Sequence, residues 1–288
     1  MSKTRKVLFG FLGLLISSQL FADTTLWRVS GHGNHLYLGG TIHMLAPEDL
    51  PFPKAFDDAF DQSDEVVLET DIAKLLDPGV QTTLMSKLSY QDGRLLNQVI
   101  SPQLYADLTH FLQERQLMPH LFIGMKPAGV TLTILAIEFQ RLGISESGAD
   151  RFYSDKALAA GKPVSGLETI AEHLRFISEM GEGNEERFLR QTLDDIEKTE
   201  KVMRSMVAAW KAGDVETLQR EVIADMRQSY PKVYNSLLVE RNQRWYPQIK
   251  EMLNTEKVEL VLVGAAHLIG PEGILEMLRK QGYEIEQL

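Results

Sequence analysis

Two histidines and a carboxylate close strand-like apolar runs in this chain, and together they could hold a divalent cation. His43 follows "LYLGG" in the stretch "LYLGGTIHML", and His267 follows "LVLVG" in "LVLVGAAHLI". Between them "VVLETD" delivers Glu69, with Asp71 two residues on. Two imidazoles and one carboxylate on neighbouring strand ends form an open N/O coordination set that leaves room for water or substrate. A cation held this way acidifies its water and polarises a carbonyl, which is what amide or ester hydrolysis requires. In an extended strand Glu69 and Asp71 share one face, so Asp71 is expected to support the ligands from behind. Each histidine taken alone reads more readily as a packed strand-end residue than as a ligand. The repeated local pattern carries the chemical reading.

Composition removes competing chemistries. The 288 residues contain no cysteine, which excludes disulfides, thiolate metal sites and a cysteine nucleophile. No Gly-x-Ser-x-Gly elbow is present. Forty acidic against thirty basic residues give a net charge of −10, and an acidic chain lacks the cationic surface that nucleic acid binding draws on. Lys3, Arg5 and Lys6 precede the apolar run "VLFGFLGLLI", the order of a secretory signal peptide with cleavage expected near Ala22. Setting those three cations aside takes the charge to −13. An uncleaved N-terminal anchor is the alternative reading, and the expected location is periplasmic or secreted.

The elements that must position these groups follow from patterning. "TLWRVS" and "HLYLGGTIH" flank the turn cluster "GHGN" and suit a hairpin. "DEVVLETDI", "KVELVLVGAAHL" and the closing "YEIEQL" read as further strands, with a short "PVSG" strand in between. The middle is helical: Ser101-Pro102 opens one helix, Pro127 opens another that runs to Gly143, and a third after Asp150 closes at Gly161. Pro231 and Pro247 should break the long pattern between 214 and 253. The expectation is an α/β (or α+β) domain over residues 23–288, with a central mixed sheet built from N- and C-terminal strands and a large helical insertion.

These segments together resemble the TraB/PrgY/GumN group, which includes the Tiki proteins. The likeness rests on "LGGTIHM", "VVLETD", "MKPAGVTL", "GADRFYSDKALAAGKPVSGLET", "VERNQRW" and "VGAAHLIGPEGILEMLRKQGYEIEQL". It is matched only at fold level by the haem-associated ChaN and erythromycin esterase groups. The resemblance implies a metal-dependent protease with His43, Glu69 and His267 at its centre, holding Mn, Co or Zn. Whether Glu69 is a ligand or the base stays open. Arg241 could stabilise an oxyanion, hold a substrate carboxylate or make a structural ion pair. Asn242 could donate a hydrogen bond, and Asp150 reads as a helix N-cap. Glu168 could face the same rim, and Lys126 is ambiguous. His32, His35, His110, His120 and His173 have no evident partners. A peptide or protein substrate is expected, with no transmembrane helix in the mature chain. A protein that sequesters a peptide or haem, or a metal-free esterase, are the alternatives.

Overall fold

The computed structural model describes residues 23–144 and 148–288, so the signal-peptide segment lies outside them. Six strands form one mixed sheet in the order β4-β3-β5-β2-β1-β6. In chain order the elements that matter are β1 (Leu26–Gly31), β2 (Asn34–Thr41), α1 (Lys54–Gln62), β3 (Glu65–Leu68), α2 (Pro102–Glu114), α3 (Pro127–Arg141), α4 (Ala149–Ala160) and β4 (Val164–Gly166). There follow α5 (Ile170–Ser178), α6 (Glu185–Asp195), α7 (Thr199–Lys211), α8 (Glu240–Met252), β5 (Glu259–Gly264), α9 (Ala265–Leu268), α10 (Ile274–Lys280) and β6 (Glu284–Gln287).

The expected hairpin joins β1 to β2 through His32 and Gly33, both at positive φ, the backbone that a two-residue hairpin turn needs. β2, β5, β3 and β4 then run parallel. Every residue of β5 is buried, as a strand covered by helices on both faces must be. Its near-continuous Leu/Val run made it legible. β6 pairs with β1, which joins the two ends of the described chain in one sheet. The apolar layers close on Trp210 and Trp245, both fully buried. A second apolar cluster, with Leu104 and Leu108 of α2, Val130 and Ile134 of α3 and Leu189 of α6, packs the inserted helices on one another. Among the described residues no helix is long and apolar enough to cross a membrane.

β2 continues through Gly39 and Gly40 to Thr41. A Cβ on Gly39 would stand 2.5 Å from Leu262 Cδ2 and 2.9 Å from Phe56 Cε1, and one on Gly40 would stand 3.1 Å from the Ala265 Cα. The glycines therefore thin the strand so that α1 and α9 can close on it. Helix α8 also runs through Pro247 instead of breaking there, because Trp245 and Ile249, on either side of the proline, are both fully buried in the main core.

Gly148 sets the entry of α4. A Cβ there would lie 2.1 Å from the His43 carbonyl oxygen and 2.7 Å from its Cα, backbone atoms that cannot yield. Gly148→Ala is expected to cost about 2 kcal/mol or more of stability, at the upper end of overpacking. Urea denaturation checks this, and an unchanged midpoint would refute the close approach.

Candidate metal and hydrolytic site

The parallel strands β4, β3, β5 and β2 all point their carboxyl ends to one edge of the sheet, where open α/β sheets bind ligands. Glu168, Glu69, His267 and His43 follow those four strands in that spatial order. Residues scattered over most of the chain are thereby brought side by side, one strand apart.

Glu69 is the central group and is buried. Its Oε1 accepts the Gly264 amide at 2.8 Å and lies 3.6 Å from His43 Nε2 and 3.7 Å from His267 Nε2. Its Oε2 accepts from Arg241 Nη2 at 2.6 Å. Burial alone would raise this carboxyl; the Arg241 guanidinium, the two imidazoles and the Gly264 amide outweigh it and hold Glu69 well below the usual carboxylate range.

Each imidazole is oriented from behind. His43 Nδ1 meets Asp150 Oδ2 at 2.6 Å, and the other oxygen of that carboxylate accepts from Thr41 Oγ1 at 2.5 Å. The ring keeps 59% of its side-chain surface exposed, and the Asp150 carboxylate pushes it up to about 9. His267 is buried against the Trp245 ring at 4.4 Å. Its Nδ1 donates to Asn242 Oδ1 at 2.7 Å, an assignment fixed because Asn242 Nδ2 already donates to the carbonyls of His267 and Glu272. Nε2 is thus left unprotonated, 3.7 Å from Glu69 Oε1 and 3.2 Å from Arg241 Nη1. Burial, with Arg241 and His43 nearby, lowers this imidazole to about 3.

Arg241 is buried and its five donors are all taken. Nε and Nη2 clamp Glu168 at 3.1 and 2.7 Å, Nη2 also reaches Glu69, and Nη1 reaches the Leu237 carbonyl at 3.4 Å and His267 Nε2 at 3.2 Å. Of the roles weighed for it, this geometry supports the structural ion pair. Arg241 stands two residues beyond the π-helical turns of Asn235–Val239, which widen the helix just before it enters the site.

The structure separates the remaining expected residues. Asp150 is not the N-cap of α4: Gly148 holds that position, and Asp150 sits in the first turn with its carboxylate on His43. Asp71 does not share a face with Glu69 toward the cluster, because β3 ends at Leu68. Its carboxylate caps the following turn through the Lys74 amide and pairs with the Lys74 ammonium at 2.8 Å. Lys126 precedes α3 as its N-cap, and the structure does not bring it to the cluster. His173 does have a partner, Glu168 Oε1 at 2.7 Å from its Nδ1. The box formed by Thr169 and Glu172 at the start of α5 is the sequence signal that could have placed both.

Two donor sets stand at this edge of the sheet, and among the described residues one of them has all its ligand atoms within 4.8 Å of one another. It consists of Glu69, Glu168 and His173, but Glu168 and His173 already satisfy each other and Arg241. In the set of His43, Glu69 and His267, each Nε2-to-Oε1 separation compares with roughly 3.4 Å between donors of a tetrahedral site with ~2.1 Å bonds, but the three donors do not all lie within 4.8 Å of one another. A Cβ at Gly264 would stand 3.2 Å from His43 Nε2 and 3.3 Å from Glu69 Oε1. The missing side chain leaves a small cradle between these groups. A cavity of about 390 Å³ opens beside them.

A family model described as the TraB/PrgY/gumN family matches residues 25–287. The chain is 24% identical over 246 residues to the protein YbaP of Escherichia coli (strain K12), covering 85% of this chain and 88% of that one. It is 22% identical to a metalloprotease TIKI homolog of Amphimedon queenslandica, over 94% of this chain and 63% of that protein. It is 21% identical to metalloprotease TIKI1 of Homo sapiens, over 87% and 59% respectively. No solved structure matches it.

The depressed His267 makes the fold acid-sensitive. The unfolded chain takes up a proton below about pH 6.5 and the folded one only near 3, so stability is full above 6.5 and falls as pH drops toward 3. Between pH 6.5 and 5, above the carboxylate range, stability measured with a chelator present should fall by about 1 to 2 kcal/mol. His267→Gln should flatten that slope. A parent slope retained in the variant would assign the effect elsewhere.

Proposed function

The chain belongs to the TraB/PrgY/gumN family, and from that membership and the geometry above we propose that it is a metal-dependent hydrolase acting on peptides. The observation that carries the reading is the matched orientation of two imidazoles. Each has its Nδ1 engaged by a carboxylate or amide oxygen, Asp150 or Asn242, and each turns its Nε2 toward the same oxygen of Glu69. Metal-ligating histidines are held by such outer partners. The relatives named metalloproteases favour the same class.

His43, Glu69 and His267 would hold Mn, Co or Zn, all of which accept N/O donors. The bound cation would supply Lewis acidity and a water acidified toward neutrality. Glu69, ionised and fixed by the Gly264 amide and Arg241, is suited to being a ligand through Oε1 more than a base, since a general base works best with a pKa near the operating pH. Asp150 and Asn242 position the imidazoles, and Arg241 positions Glu69.

One observation favours metal-free ester hydrolysis as a second reading: Arg241 Nη1 stands 3.2 Å from His267 Nε2 and shares its lone pair. Protein stripped with chelator and titrated with Mn, Co and Zn against a peptide library separates the two. The expected result is cleavage that requires metal and disappears in His43→Ala and His267→Ala. Parental cleavage by both variants would overturn the assignment, ester cleavage persisting in chelator would support the second reading, and tight binding without product would indicate sequestration.

We also infer export to the periplasm or beyond, from the order of charge and apolarity in residues 1–22. A mature N-terminus at Asp23 is the expected finding of N-terminal sequencing. Met1 retained in a membrane fraction would point to an anchor.

A further inference from the structure

The cavity beside the candidate site has two unlike walls. His43, Glu69, Asp150, His173 and Arg241 line one side. The other carries Leu75, Leu132, Ile177, Met180 and Leu237, all half-buried. None of these five belongs to either apolar core or packs against one. They come from four separate places in the chain: the turn after β3, helix α3, the end of α5 with Met180 two residues beyond it, and the π-helical turns before α8. Apolar side chains drawn from distant segments to one half-open cavity, without being used by the core, mark a binding surface. The volume of about 390 Å³ lies in the range of small-ligand pockets.

We propose that this cavity receives one apolar side chain of the substrate, at the residue adjoining the bond presented to His43, Glu69 and His267. The inference rests on the hydrolase reading for which bond is cut, but the pocket's preference can be read without turnover. The polar wall fixes where the backbone must lie, because His43 is the exposed member of the cluster and opens on the same space. A side chain leaving that backbone into the rest of the cavity meets mainly aliphatic groups, with Thr70 and Arg151 also in the lining. Leucine, isoleucine, methionine or phenylalanine would shed water there, whereas a polar isostere would lose hydrogen bonds it cannot replace. Ile177 and Leu132 line the cavity from two different helices.

The test uses fluorescently labelled peptides in a Gly/Ala background, carrying either Leu or the near-isosteric Asn at each position in turn. Binding to the parent protein is measured by anisotropy in chelator, so that no cleavage intervenes, and kcat/KM is then measured with metal restored. At one position Leu should bind about tenfold or more tighter than Asn, the scale of an apolar group moved from water into such a pocket. Ile177→Trp, which fills the cavity, and Ile177→Asn, which makes its wall polar, should each abolish the preference. Both residues of the pair Ile177 and Leu132 lie outside the cores, so Leu132→Asn serves as an independent second variant with the fold retained. No preference at any position, or a preference unchanged in all three variants, overturns the pocket. Metal-dependent cleavage without preference leaves the hydrolase reading standing and removes this one. Preference in binding with no cleavage under any metal does the reverse.

Discussion

A buried guanidinium between two buried carboxylates organises this edge of the sheet. Arg241 bridges Glu69 and Glu168 and is sandwiched by the rings of Trp245 and Phe176 at 4.5 and 5.7 Å. Removing either sign from such a cluster leaves an uncompensated charge in a low-dielectric interior, which costs several kcal/mol. The strands β3 and β4 and the helix α8 are thereby bound to a common geometry at the point where their side chains meet. The neighbouring groups depend on it: Arg241 is the chief influence that holds Glu69 ionised, and it adds to the burial that keeps His267 neutral.

The two histidines differ in kind despite their similar sequence surroundings. His43 sits in the light of solvent with a carboxylate behind it, and His267 is packed under an indole with a neutral amide behind it. The Asp150 carboxylate keeps the exposed ring charged, and burial keeps the other ring neutral. The two stand on opposite sides of neutrality, although the strand–Gly–x–x–His pattern is shared.

What was legible in the sequence was whatever repeats with a short period or ends abruptly. The β-strands announced themselves through runs such as "LVLVG", and the histidines through their fixed distance from the strand ends. The pairing of β2 with β5 followed from that echo, although the register sets Thr41 opposite Gly264, one residue from the alignment of the two glycines. The supporting shell was less visible. Asp71 looked placed because strand alternation was extended past Leu68, where the backbone has already turned. His173 looked partnerless because Glu168 becomes its neighbour only once Thr169 starts a helix between them. Arg241 could be singled out, but the count of its five occupied donors depends on carboxylates more than seventy residues away.

The order of strands has a consequence for how the molecule comes to exist. β5 enters between β2 and β3, more than two hundred residues after the first of them along the chain. Until it arrives, two hydrophobic strand edges face an empty slot, and closing it requires one of the longest loops in the protein. Such non-local closure is slow and leaves sticky edges exposed meanwhile. It also means that His267 stands beside His43 and Glu69 only when β5 is seated between β2 and β3. The candidate site is therefore assembled by the same step that completes the sheet, and a molecule that has the one has the other.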